Sequence, residues 1–212
     1  MLAEADPSRF NAPAERRPTL LSRVVKAVVL ALYRWKGWRL EGVAPPGRKY
    51  VILGAPHTSN WDFIFFTGAT WSLGIRPRFL GKLSLFRAPL TRFMYDMGGV
   101  PIDRSVRGDY TAQVVAQFAA HDDFRLVIAP EGTRRGVRRW RTGFYHIALG
   151  AGVPVVPAWV DTPAKRGGIG PAIAMTGDFA RDIAAIAAFY RSVMPDHPRL
   201  KALFGMAEEA RG

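Results

Sequence analysis

Short apolar runs, each closed by a polar cluster and followed by a stretch of helical character, constrain this chain more than any other feature. Tyr50-Val51-Ile52-Leu53-Gly54-Ala55 is short, partly β-branched and ended by Pro56, the pattern of a buried strand. Arg125-Leu126-Val127-Ile128-Ala129 repeats the pattern and is ended by Pro130. The spacing predicts further strands at Arg78–Lys82, in the Gly98–Arg104 segment and at Val153–Val160, with helices over about 60–74, 85–97, 107–120, 142–151 and 178–194. Strands alternating with helices give an α/β class, with a mostly parallel or mixed central sheet flanked by helices. Pro154 and Pro157 favour an edge strand or a strand start for the last run.

The polar clusters carry the chemistry. His57 falls just past the carboxyl end of the first strand, where open α/β sheets place their ligands. Ser59 or Asn60 can cap the following helix, and Asp62 falls in its first turn, where the helix dipole favours a carboxylate that can reach back to the imidazole. An Asp on one ring nitrogen fixes the tautomer and leaves the other to accept a proton, a base with its orienter and no protein nucleophile. A second strand end carries Asp103-Arg104, whose guanidinium fork suits a phosphate or a local pair with Asp103. The third carries Pro130-Glu131-Gly132-Thr133-Arg134. Three polar turns at three strand ends point to one cleft, and the basic run Arg134–Arg141 beside it would attract phosphates.

The 212 residues suit one domain with a sizeable core. Without cysteine there is no disulfide framework, thiolate nucleophile or Cys-based metal site. His121, His146 and His197 form no metal-ligand spacing with His57, so no metal is expected. A net charge of +13 calls for an anionic partner, and 6 Trp with 13 Phe favour burial or a membrane interface over a purely electrostatic nucleic-acid patch, for which no reader motif is present.

Residues 1–18 are polar, carry three prolines and lack the apolar core of a signal peptide, and are expected to form a disordered leader. Residues 19–40 are expected to form an amphipathic helix. Leu20, Leu21, Val24, Val25, Val28, Val29, Leu32 and Trp35 share one face, with Arg23, Lys26 and Arg34 on the other. Arg23, Lys26 and Arg34 interrupt the stretch and make it a poor membrane span, which needs roughly 20 predominantly apolar residues. Basic residues opposite an apolar face, with Trp35 and Trp38 at its end, describe a helix lying in the headgroup plane of an anionic bilayer, although the same face could pack on the domain.

Across residues 50 to 160 the chain resembles the glycerolipid acyltransferases related to 1-acylglycerol-3-phosphate acyltransferase. That family carries four blocks in fixed order. They are matched by His57 with Asp62; by Gly99, Ile102 and Arg104; by Pro130-Glu131-Gly132-Thr133-Arg134; and by Val153-Pro154-Val155-Val156-Pro157. Ala129 and Arg135 stand where the family often has Phe and Ser, and Trp140-Arg141-Thr142-Gly143 is similar to its Phe-Lys-x-Gly.

The resemblance implies an acyltransferase domain over 41–194 with a tail over 195–212, and acyl transfer from a coenzyme A or acyl-carrier-protein thioester, with no further cofactor. The acceptor implied is a lysophospholipid hydroxyl, 1-acyl-sn-glycerol-3-phosphate before alternatives such as a lyso-ornithine lipid. His57 would be the base and Asp62 its orienter. Arg104 and Arg134 would hold the acceptor phosphate, with Glu131, Gly132 and Thr133 lining the site. Such an enzyme would sit peripherally or monotopically on the cytoplasmic face of the cell membrane.

Overall fold

The computed structural model describes residues 17–57, 60–102, 110–132 and 137–210. Its frame is a seven-stranded sheet in the order β1-β7-β6-β2-β5-β3-β4, formed by Arg39–Glu41 (β1), Lys49–Gly54 (β2), Pro77–Lys82 (β3), Gly99–Ile102 (β4), Phe124–Ile128 (β5), Val155–Asp161 (β6) and Arg166–Ile169 (β7). Every neighbouring pair is parallel except the β6/β7 hairpin, so the sheet is mixed.

Central β2 is buried on both faces because its alternate residues feed different layers. Val51 and Leu53 join the larger core, with Phe118 of α4 (Tyr110–Ala120), Phe144 of α5 (Gly143–Ala151) and Ile183 of α6 (Phe179–Val193). Tyr50 and Ile52 face the other way, toward Phe66 and Leu73 beside α2 (Asn60–Ser72). A parallel pair needs such crossovers, which set helices on both faces.

Several elements differ from the sequence-based expectation. The N-terminal helix α1 runs Leu20–Trp35 and stops before residue 40, because Gly37 turns at φ +66 and Arg39–Glu41 then joins the sheet as β1 beside β7. The expected helix over 85–97 is a 3-10 turn, Leu83–Phe86, and a short α3, Thr91–Asp96, separated by extended Arg87 and by Pro89, which offers no N–H. Pro157 lies inside β6, an interior strand. Its own carbonyl accepts from Gly170 N at 2.7 Å, so its backbone faces the side where β7 has ended at Ile169 and the ladder to β2 keeps its donors.

The chain beyond Pro195 is no separate tail. It forms a 3-10 turn, Pro198–Leu200, and α7, Lys201–Glu209, which bury Leu200, Leu203, Met206 and Ala207 in the larger core. The expected leader over 1–18 lies outside the described residues apart from Arg17 and Pro18.

Helix α1 packs on α2 rather than on the sheet. Tyr33 lies so close to Gly68 that a Cβ there would come within 2.5 Å of the ring, and Tyr33 and Trp38 both stack against Phe65. Its start is fixed by Asp96 of α3, whose Oδ2 accepts from Thr19 N at 2.9 Å, Thr19 Oγ1 at 3.0 Å and Ser22 Oγ at 2.7 Å. Docking uses Ser22, Val29 and Tyr33, which leaves Leu20, Leu21, Val24, Val28 and Trp35 exposed on the opposite side. Lys26 departs from the purely solvated basic face, since its ammonium stands 4.6 Å over the Trp71 ring. No helix among the described residues is long and apolar enough to cross a membrane.

Candidate active site

Adjacent parallel strands end at the same level, and this alone brings two of the polar turns together. Leu53 of β2 is in register with Ile128 of β5, so the turns that follow, Ala55-Pro56-His57 and Ala129-Pro130-Glu131-Gly132, lie side by side. The backbone N–H of His57 donates to Glu131 Oε1 at 3.3 Å. Glu131 is 2% exposed, and its turn is closed by Gly132 N to Ala129 O at 3.1 Å and by Arg141 N to Pro130 O at 2.9 Å. Gly132 sits at φ +64, and a Cβ there would meet the Arg141 guanidinium at 2.8 Å, so the turn tolerates no side chain without strain.

Helix α2 supplies the second carboxylate. Asp62, 4% exposed, sets Oδ2 at 3.6 Å from Nδ1 of His57, whose side chain keeps about a third of its surface exposed (31%). The other oxygen of Asp62 accepts from Thr162 Oγ1 at 3.3 Å, a hydroxyl just past the end of β6. Strands β2, β5 and β6 thus each contribute from their carboxyl ends.

Beneath these turns Tyr190 of α6 aims its hydroxyl at Leu53 O, 2.6 Å away, with Ala158 O at 3.1 Å. Burial pushes this phenol far above its ordinary range, so it stays a donor and ties the ends of β2 and β6 to the helix behind them. Burial also raises the Glu131 carboxyl. The His57 N–H and Arg199 oppose that rise, and the nearby Asp62 adds to it.

Of the seven residues singled out from sequence, the structure brings together His57, Asp62, Glu131 and Gly132. Arg104, Thr133 and Arg134 lie outside the described residues. Two further side chains meet the cluster without a sequence signal. One is Thr162; the other is Arg199, whose Nη1 stands 3.8 Å from Glu131 Oε2. Among the described residues no group of three His, Cys, Asp or Glu could hold a metal ion.

A base with an orienting carboxylate at the carboxyl ends of parallel strands, and no cysteine anywhere in the chain, suits direct proton abstraction from an attacking hydroxyl. The family model described as Acyltransferase matches residues 40–161, more than half of the chain. The chain belongs to the acyltransferase family. His57, Asp62, Glu131, Gly132 and Thr162 stand within or directly beside the matched span, whereas Arg199 lies well beyond it.

Within this family the chain is similar to the 1-acyl-sn-glycerol-3-phosphate acyltransferase of Haemophilus influenzae, 31% identical over 137 residues, which cover 59% of this chain and 55% of that protein. The enzyme of the same name from Escherichia coli is 32% identical over 125 residues, 55% of this chain and 49% of the relative. The chain therefore spans about half the length of the curated relatives it matches. The crystal structure of the 1-acyl-sn-glycerophosphate (LPA) acyltransferase PlsC from Thermotoga maritima shares the fold, with a TM-score of 0.50 and 19% identity over 80% of this chain and 77% of that one.

Proposed function

We propose that this acyltransferase moves a fatty acyl chain from a coenzyme A or acyl-carrier-protein thioester to the free hydroxyl of a lysophospholipid, 1-acyl-sn-glycerol-3-phosphate, giving phosphatidic acid. The observation that carries the reading is the His57 ring set against buried Asp62, with its backbone held by buried Glu131, in a chain whose relatives bear that activity in their names.

In this reaction the acceptor hydroxyl gives its proton to His57 Nε2 as its oxygen attacks the thioester carbonyl. Asp62, on the Nδ1 side, holds the tautomer and stabilises the imidazolium. The tetrahedral intermediate collapses by breaking the C–S bond, and the sulfur takes the proton back from His57. The products are an ester and a free thiol, and no acyl-enzyme forms. Arg104 and Arg134 hold the acceptor phosphate, buried Glu131 holds the His57 turn that meets the acceptor's one free hydroxyl, and Thr133 and Gly132 complete the acceptor pocket.

The exposed side of α1 delivers the enzyme to its lipid substrate. Leu20, Leu21, Val24, Val28 and Trp35 enter the acyl boundary of an anionic bilayer while Arg23 and Arg34 meet the headgroups, on the cytoplasmic face of the membrane.

Purified protein offered a panel of lyso-acceptors, lysophosphatidic acid and a lyso-ornithine lipid among them, with both thioester types and products read by mass spectrometry, tests the assignment. Phosphatidic acid as the main product is the expected result. Transfer to the ornithine lipid alone would move the same chemistry to another acceptor, and hydrolysis without transfer would reject it.

A further inference from the structure

Arg199 belongs to the 3-10 turn Pro198–Leu200, far beyond the span 40–161 that carries the family likeness. Its guanidinium nevertheless faces the deepest carboxylate of the site. Arg199 Nη1 and Glu131 Oε2 are both sealed from solvent, 3.8 Å apart, and neither makes a hydrogen bond of its own. The turn that presents it is fixed from both sides: Leu200 is fully buried in the core, and the Arg199 backbone N–H donates to His197 Nδ1 at 3.3 Å.

We propose that Arg199 is a positioning residue for acyl transfer, keeping Glu131 ionised and oriented so that Glu131 can hold the His57 turn by its backbone N–H. This rests on the function proposed above.

A carboxylate as deep as Glu131 favours its neutral form unless a cation and donors face it. The groups that face it are His57 and Asp62 from the β2–α2 turn and α2, Tyr190 from α6, and Arg199 from the turn before α7. Asp62 repels the ionised form, and the buried phenol of Tyr190 stays neutral. The His57 N–H and Arg199 favour ionisation, and Arg199 alone of the two brings a full charge. Once protonated, Glu131 has one oxygen that donates rather than accepts, and its grip on the His57 N–H weakens. As a stabilising device such a pair makes little sense, because an apolar pair of the same volume often serves a buried core as well.

The test uses the full chain with Arg199→Met, Arg199→Lys, Glu131→Gln and the Glu131→Gln/Arg199→Met double variant. The first readout is the titration of the Glu131 carboxyl by 13C NMR, assigned by its disappearance in Glu131→Gln. The second is the pH profile of kcat and KM for acyl transfer. In Arg199→Met the Glu131 titration should move up by roughly one pH unit, and the acid limb of kcat should move with it while KM for the acceptor holds. Arg199→Lys should restore most of both shifts. In the Glu131→Gln background, Arg199→Met should cost less than about 2-fold more in kcat, since two residues acting as a unit are not additive. An unmoved Glu131 titration, or losses that multiply in the double variant, would overturn the proposal. Should Arg199→Met not fold, Arg199→Gln, which removes the charge and keeps a polar end, makes the same comparison. Absence of transfer by the wild type would instead overturn the function reading, and the titration would still decide the Arg199–Glu131 coupling.

Discussion

Asp62 receives the Thr162 hydroxyl on one oxygen at 3.3 Å and turns the other toward His57 Nδ1 at 3.6 Å, so the orienting carboxylate is itself oriented by a strand that ends beside it. A fixed carboxylate holds the imidazole in one tautomer without spending the motion needed to find it. Asp62→Asn should therefore cut kcat by ~10²–10⁴ with a small change in KM. Thr162→Val should cost about 10- to 100-fold, the scale of one hydrogen bond to a charged group. Steady-state kinetics on folded variants checks both.

Glu131 should show a conflict between stability and function. Its folded carboxyl titrates above its ordinary 4.5, so the native state binds the extra proton. The sign follows: the destabilisation is absent below pH 4.5, grows as pH rises through the folded value, and is complete above it. The Glu131→Gln/Arg199→Met double variant, which leaves no buried guanidinium without its counterion, should thus raise Tm at neutral pH relative to wild type, with the gain smaller in acid, while acyl transfer falls. Thermal unfolding of both proteins across pH measures this.

Asp96 should behave in the opposite sense. Burial raises its carboxyl, but the Thr19 and Ser22 donors and Arg92 outweigh that and hold it below the ordinary 3.8. Its contribution is then complete above pH 3.8 and is lost as pH falls through the lower folded value. Asp96→Ala should cost about 1–3 kcal/mol near neutral pH, because the α1 N-terminus loses its anchor. The gap between the variant and wild type should close in acid, as denaturant titration at several pH values would show.

Gly68 is the contact through which α1 reaches the body of the protein. With a Cβ placed 2.5 Å from the Tyr33 ring, Gly68→Ala must push α1 away from α2. The expected cost is about 1–3 kcal/mol, the usual range for overpacking. Hydrogen exchange should show the loss concentrated in Leu20–Trp35.

The outer face of α1 gives a separate prediction. Replacing Leu21, Val24 and Val28, all exposed, with Ser should leave Tm nearly unchanged and reduce cosedimentation with anionic vesicles severalfold. Equal cosedimentation would remove the membrane role assigned to this helix.

The strands legible in sequence carry apolar runs, whether buried on both faces like β2 and β6 or only partly covered like β3 and β5. Tyr50–Leu53 and Arg125–Ile128 announce themselves by apolar, branched residues, and their closing prolines mark where the site begins. β1 and β7 do not, because Arg39-Leu40-Glu41 and Arg166-Gly167-Gly168-Ile169 have no apolar alternation. Gly167 and Gly168 are there for the close approach of the Phe65 ring and the Glu41 carbonyl, a requirement visible only in three dimensions. His57, Asp62 and Glu131 could be found because each follows or opens an element at a recognisable boundary. Thr162 and Arg199 could not: one follows a strand as an ordinary hydroxyl, and the other sits on a turn that tertiary packing alone brings to Glu131.

The most direct measurement is acyl transfer to 1-acyl-sn-glycerol-3-phosphate by purified His57→Ala, with circular dichroism and Tm recorded alongside. The account predicts a native fold and a rate lower by ~10²–10⁴. A folded variant that transfers the acyl chain at close to the wild-type rate would contradict it.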